Sequence, residues 1–158
     1  MIPVPVALAC DTEVPASSRH LRGADVQLRW RWRAAHAQVE GELSFGPNAE
    51  GLPGHIHGGA LAAVCDEAMG WACWCSGWIA PGARVETAFL AAVRPGQALT
   101  LVARVSAAQG RKIATVAELF ADGRAVAQAS GLYIAIVPKD LAAFAQWPGV
   151  DRFAGNGR

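Results

Sequence analysis

The chain has 158 residues, of which 53% are hydrophobic and 17% charged, and a formal net charge of +1. Its length fits one domain, its near-neutral charge argues against bulk attraction to nucleic acid or a membrane surface, and no apolar run reaches the roughly 18 residues that span a bilayer. So small a charged share in a chain rich in Ala and Val implies apolar surface covered by a partner, and a homo-oligomer is expected: a dimer at least, and a tetramer if more than one apolar face is covered.

Residues 1–24 show no hydrophobic period, hold Pro3, Pro5 and Pro15, and read as an extended arm. The opening "MIPVPVALAC" is apolar but short and has no basic segment, so no targeting leader is expected. From Asp25 an alternation begins, with Val26, Leu28, Trp30 and Trp32 on one side and Gln27, Arg29, Arg31 and Arg33 on the other, the mark of a half-buried strand. A second strand follows at Ala37 to Phe45, with Val39, Leu43 and Phe45 facing inward. "GPNAEGLPG", Gly46 to Gly54, is dense in turn residues and reads as a loop.

Then comes "HGGALAAVCDEAMGWACWC", which predicts a helix from Gly58 to Cys75. Beyond it "ARVETAFLAA", "ALTLVARVSA", "RKIATVAELFA" and "RAVAQASGLYIAIV" read as four alternating strands, each with one covered face. The breaks at "AQG" and "ADG" carry hairpin turn chemistry. The domain runs over 25–138, and the tail 139–158 holds at most one short helix before it frays. This order predicts an α+β fold in which an antiparallel sheet of about six strands wraps one long central helix.

Cys10, Cys65, Cys73 and Cys75 follow no common zinc spacing. Cys65 and Cys73 stand about 12 Å apart along the helix axis, too far for a disulfide. Reduced, buried thiols in a cytoplasmic protein are the expectation. His55 and His57 form His-x-His without a third ligand at a recognisable spacing, so no metal is expected, while His20 and His36 read as surface residues.

The helix carries the candidate chemistry. Gly58 and Gly59 stand at its start, where first-turn N–H groups lack internal partners and the dipole favours negative charge, a fit for a developing oxyanion. By themselves two glycines before a helix more often mark a turn. Asp66, flanked by Val64, Cys65, Ala68 and Met69, is expected to be partly buried with a raised pKa and so suited to act as a base. Glu67 lies about 100° further round the helix and reads as surface. Gly58 and Asp66 are about 12 Å apart along the axis, so one substrate carbonyl cannot use both within one chain. If the glycine holds the oxyanion, each site combines one chain's Gly58 with another chain's Asp66 across a two-fold axis.

The stretch "HGGALAAVCDEAMG" resembles the His-Gly-Gly helix motif of hotdog-fold acyl-CoA thioesterases, in the branch of the phenylacetate-pathway and 4-hydroxybenzoyl-CoA enzymes. The resemblance covers roughly Leu43 to Val137 and includes "GPNAEGLPGHIHGG", "VRPG", "GRK" and "DGRAVAQASGLYIAI". It implies a hotdog fold and hydrolysis of an acyl-CoA, with coenzyme A as part of the substrate and no cofactor. It implies Asp66 as base or nucleophile, the Gly58 N–H as the group that polarises the thioester carbonyl, and His57 as the residue that orders the helix start. Carboxylate and glycine of one site come from different subunits in this family. Two positions depart from the pattern. Val85 stands where relatives carry Ser or Thr, with Thr87 on the same strand face as a substitute. Gly51 stands where many have Asn or Gln, leaving Asn48 and His55 as candidates to hold water. Gly59 adjoins the carbonyl site, Arg94, Arg111 and Lys112 are candidates for the CoA phosphates, and Trp71 to Trp78 line either an acyl pocket or an interface. Two other activities fit a hotdog chain: hydration or dehydration of an acyl chain, which needs a His paired with the carboxylate, and acyl-CoA binding without turnover.

Overall fold

The computed structural model describes residues 7, 9–14, 21 and 25–137. Among the described residues nine strands and one long α-helix succeed one another. They are β1 (Thr12–Val14), β2 (Val26–Arg33), β3 (Gln38–Phe45), β4 (Glu50–Leu52), β5 (His55–Ile56), α1 (Gly58–Cys75), β6 (Gly82–Phe89), β7 (Leu99–Gln109), β8 (Lys112–Ala121) and β9 (Arg124–Ile134). Seven of the strands form one sheet in the order β1-β2-β3-β7-β8-β9-β6, with every neighbour antiparallel. Helix α1 packs on one face of this sheet, against β2, β3, β6, β7, β8 and β9. The wrapped-helix expectation holds, with one strand more than the six expected.

Two further expectations need correction. The arm contributes the extra strand: Thr12–Val14 pairs with Trp30–Trp32 and buries Val14. Three residues are too few to show a period. The segment 46–54 is not wholly loop. Pro47–Ala49 is a 3-10 turn, and β4 pairs with β5 as a small two-stranded ribbon. The short helix expected after Pro138, the tail 139–158 and His20 lie outside the described residues.

Hydrophobic period explains the helix. Leu61, Val64, Cys65, Ala68, Met69, Ala72, Cys73 and Cys75 are buried, a stripe at three- and four-residue spacing that faces the sheet. Gly77, at φ 90°, ends the helix in the left-handed region, while the N–H groups of Gly77 and Trp78 close onto the carbonyls of Trp74 and Cys73. The β8–β9 connection is a two-residue turn with positive φ at both Asp122 and Gly123, the Asp-Gly hairpin read from the sequence.

The core is sealed by a size match across β2 and β3. Trp30 is directly opposite Gly41, and a Cβ at residue 41 would lie 2.0 Å from Trp30 Cζ3. The glycine is the space in which the indole lies. Among the described residues no helix is long and apolar enough to cross a membrane. Cys65, Cys73 and Cys75 are buried thiols, as expected, but Cys10 is exposed because it precedes the strand that anchors the arm.

Strand β6 departs from the expected alternation. It lies at the sheet edge, and all its residues except Thr87 are exposed, on both faces. Among the described residues no strand pairs with its outer backbone groups, although it is eight residues long.

Candidate active site

Helix α1 begins at a built cap. His57 is the N-cap, with extended backbone, and its Nδ1 accepts a hydrogen bond of 2.8 Å from the Gly59 N–H. His57 donates its own peptide N–H to Ala49, which ties the helix start to the turn before β4. With Gly59 engaged and the Ala60 N–H turned to the His57 carbonyl, the Gly58 N–H has no acceptor among the described residues. The capping His57 therefore leaves Gly58 rather than Gly59 to offer a donor outward.

Space around Gly58 and Gly51 is defined by aromatic rings. A Cβ at residue 58 would lie 3.1 Å from Phe89 Cζ, so the Phe89 ring rests on the glycine. A Cβ at residue 51 would lie 2.8 Å from His57 Cδ2. Gly51 is therefore not a vacant Asn or Gln position: His57 fills the room a longer side chain would use.

Asp66 needs the plainest correction. It is exposed in the single chain, not partly buried. Its apolar neighbours mislead because one residue along a helix turns about 100°, which carries Asp66 off the stripe that buries Cys65. Its side chain is nonetheless held. The Tyr133 hydroxyl, on β9, donates to Asp66 Oδ1 at 2.5 Å and lies 3.0 Å from the Asp66 carbonyl oxygen. Burial first, then this contact, pushes the Tyr133 phenol well above its ordinary pKa, so it is a neutral donor at neutral pH. Nothing in the sequence links residues 67 positions apart, and within "DGRAVAQASGLYIAI" no spacing singles out Tyr133.

Other expected site residues fall into three places. Val85, Thr87 and Phe89 pair with Gly131, Ala129 and Ala127, so all three share the face of β6 that carries the helix. Asn48 lies in the 3-10 turn, its peptide N–H bound to Asp25, and exposed His55 donates Nδ1–H to the Pro53 carbonyl at 3.0 Å. Arg94 opens an exposed turn. Arg111 and Lys112 sit at the β7–β8 hairpin, where the Arg111 guanidinium already binds the Ala135 carbonyl at 2.9 Å and Lys112 is exposed. Glu67 is half-buried rather than plain surface, because Trp71 Nε1 donates to it at 3.2 Å. Trp71 and Trp74 meet edge to face, with centroids 6.1 Å apart. Burial pushes the Cys65 thiol up to about 12, so it stays protonated beside Asp66.

Within one chain the two chemical features stand at opposite ends of β6. Phe89, at the strand's end, touches Gly58, while a Cβ at Gly82, its start, would lie 3.5 Å from Asp66 Oδ1. This fold recurs in known proteins. Residues 53–128 match the thioesterase superfamily, and the fold is the hotdog fold. A solved thioesterase-superfamily protein, RHA08564, aligns at TM-score 0.65 and 26% identity over 68% of this chain, which spans only 53% of that one. The PaaI protein of the E. coli phenylacetic acid degradation operon aligns at TM-score 0.66 and 18% identity, covering 75% of this chain and 85% of its own. A hypothetical thioesterase from Streptococcus pneumoniae, solved with coenzyme A, aligns at TM-score 0.61 and 18% identity over 63% and 82% of the two chains. No curated protein matches the chain at a significant level.

Proposed function

We propose that this protein hydrolyses acyl-CoA thioesters as a homo-oligomer, at sites shared between two chains. The observation that carries the reading is the placement of Gly58 and Asp66 at opposite ends of an edge strand whose outer side, among the described residues, pairs with no other strand. Antiparallel pairing of β6 with its copy sets the Phe89 end of one strand beside the Gly82 end of the other. It thereby brings one chain's Gly58 N–H towards the other chain's Asp66, twice per dimer. The 12 Å that separates them in one chain, about eight helical rises, then ceases to be an obstacle.

In this reading the Gly58 N–H, at the positive end of the helix dipole, takes the thioester carbonyl oxygen. Asp66 removes a proton from water as the water oxygen bonds to the carbonyl carbon. The tetrahedral intermediate collapses, the C–S bond breaks, and the proton passes from Asp66 to the departing thiolate. The products are a carboxylic acid and CoA. Attack by Asp66 itself, through an anhydride that water then opens, uses the same two groups. Neither route calls for a metal or a cofactor. Thr87, on the helix-facing side of β6, replaces the hydroxyl that Val85 cannot supply. Arg94, Arg111 and Lys112 are proposed to meet the CoA phosphates, Lys112 with the freest side chain since Arg111 is already bonded.

The experiment is thiol release from short, medium, long and aromatic acyl-CoAs by the purified protein. Turnover by the wild type and its loss in Asp66→Asn are expected. Full turnover in Asp66→Asn removes the carboxylate from the mechanism, and tight acyl-CoA binding without any release replaces the hydrolase with a binding module.

A further inference from the structure

The chain contains one tyrosine, and its hydroxyl is spent on Asp66. Tyr133 is 2% exposed, and its ring is fixed by what surrounds it. Gly131, two residues earlier on the same face of β9, has no room for a side chain. A Cβ there would lie 2.6 Å from Tyr133 Cε2 and 2.7 Å from Thr115 Oγ1. Thr115, itself 1% exposed, is paired with Gly131 and donates its hydroxyl to the Gly131 carbonyl at 3.3 Å, which locks that floor to β8. Ile113 lies opposite Tyr133 on β8, and Gly82 opposite it on β6. The ring thus has one place to lie, and its hydroxyl emerges under Asp66.

A buried phenol needs one acceptor. The Asp66 carbonyl oxygen, at 3.0 Å, is enough for that. The shorter contact is with the side chain, and it reaches a carboxylate that is otherwise exposed and, among the described residues, has no other hydrogen-bond partner. A free aspartate on a helix turns among several rotamers. Here one oxygen is anchored to the rigid sheet. Besides Asp66, the titratable groups that act on Tyr133 are the thiols of Cys65 and Cys73, both held protonated by burial, and Glu67 adjoins Asp66 on the helix.

We propose that Tyr133 is a positioning residue for thioester hydrolysis: its hydroxyl holds Oδ1 of Asp66 and leaves Oδ2 as the oxygen that works on water or thioester. The role rests on the reading of Asp66 as base or nucleophile.

The test uses the single tyrosine. Tyr133→Phe removes one oxygen, and growth on 3-fluorotyrosine replaces this one residue with a stronger donor that carries a fluorine signal. In Tyr133→Phe, kcat is expected to fall about tenfold with KM within about twofold, and the acid limb of the pH–rate profile to move. In the fluorotyrosine protein the limb shifts the other way, and the fluorine resonance follows the same titration, a response lost in Asp66→Asn. A folded Tyr133→Phe protein with wild-type kcat and pH profile overturns the proposal. If that variant does not fold, a fluorotyrosine protein with an unmoved limb and a resonance blind to Asp66→Asn overturns it instead. Full turnover in Asp66→Asn would refute the hydrolytic role of Asp66, and with it the positioning role, while the fluorine titration still reports whether Tyr133 and Asp66 are coupled.

Discussion

The Phe89 ring rests on Gly58, so the last residue of the open edge strand covers the first residue of the central helix. An added Cβ would sit 3.1 Å from Cζ of a ring that is 53% exposed and free to swing outward. Gly58→Ala is therefore expected to cost less than about 1 kcal/mol of stability. Turnover falls much further, about 10- to 100-fold, because methyl and displaced ring crowd the N–H that takes the carbonyl. Adding Phe89→Ala to Gly58→Ala reopens the space and recovers part of that loss. A double variant no better than Gly58→Ala, in the same acyl-CoA assay, would separate the ring from the glycine's role.

Shared sites can be tested by mixing two inactive chains. His57 has φ −61° and ψ 132°, a conformation that tolerates a following proline, and residue 58 is the first helical position, where proline is accepted. Gly58→Pro thus deletes the N–H while keeping the helix. Each Gly58→Pro/Asp66→Asn heterodimer has one doubly damaged site and one intact site. Unfolding and refolding an equal mixture is expected to restore about a quarter of wild-type turnover, since about half the dimers are mixed and each has one good site. No recovery in verified heterodimers means that both groups act within one chain.

Val85 lies near the middle of β6 and is 37% exposed in the single chain. Val85→Asp sets two carboxylates close to the two-fold axis of the proposed pair, where like charges repel. Sedimentation should show monomers, with unchanged far-ultraviolet circular dichroism and no hydrolysis. Wild-type mass and activity would move the contact away from this strand.

Gly41→Ala tests the core independently of function. Its Cβ would fall 2.0 Å from Trp30 Cζ3, an indole 1% exposed that cannot swing into solvent. A loss of about 2–3 kcal/mol is expected for such overpacking, or roughly 4–12 °C in Tm for a domain of this size. A melting temperature within a degree of wild type would show that the indole has a second place to lie.

Thiol reactivity should divide the four cysteines. Burial pushes Cys65 and Cys73 up to about 12, so at pH 8 both are neutral thiols shielded from reagent. Cys10 is exposed. Only Cys10 should react quickly with a thiol reagent, the others following global unfolding. Because a raised thiol pKa favours the neutral form, raising pH through 9 should not release them while the fold persists. Rapid labelling of Cys65 would mean that the helix opens locally.

The central helix was legible because His-Gly-Gly marked its start and the apolar run ended near Cys75, where Gly77 closes it in the structure. The hairpin at Asp122-Gly123 was legible for the same reason. Strands of two or three residues, such as β1 and the β4–β5 ribbon, left no period to read. Asp66 was found, but its surroundings were misjudged from chain neighbours that face elsewhere. Tyr133 was missed because its contact with Asp66 depends on how β9 lies beneath α1, which no spacing encodes. The packing of His57 against Gly51 was equally invisible, since a missing side chain in the sequence does not say what occupies its place.

The two edges of the main sheet are not equivalent. On one side stands β1, three residues long, with the Asp11 that precedes it bridged to Arg33 at 3.1 Å. On the other stands the eight-residue β6. Short, charged edges discourage further strands, while a long bare edge invites one. A sheet with two bare edges can add copies head to tail into a fibre. Among the described strands only β6 offers such a long edge, and pairing it with its own copy would consume both. Strand-by-strand growth would then stop at two chains, so the same asymmetry that would complete a pair of sites would also guard the protein against polymerisation.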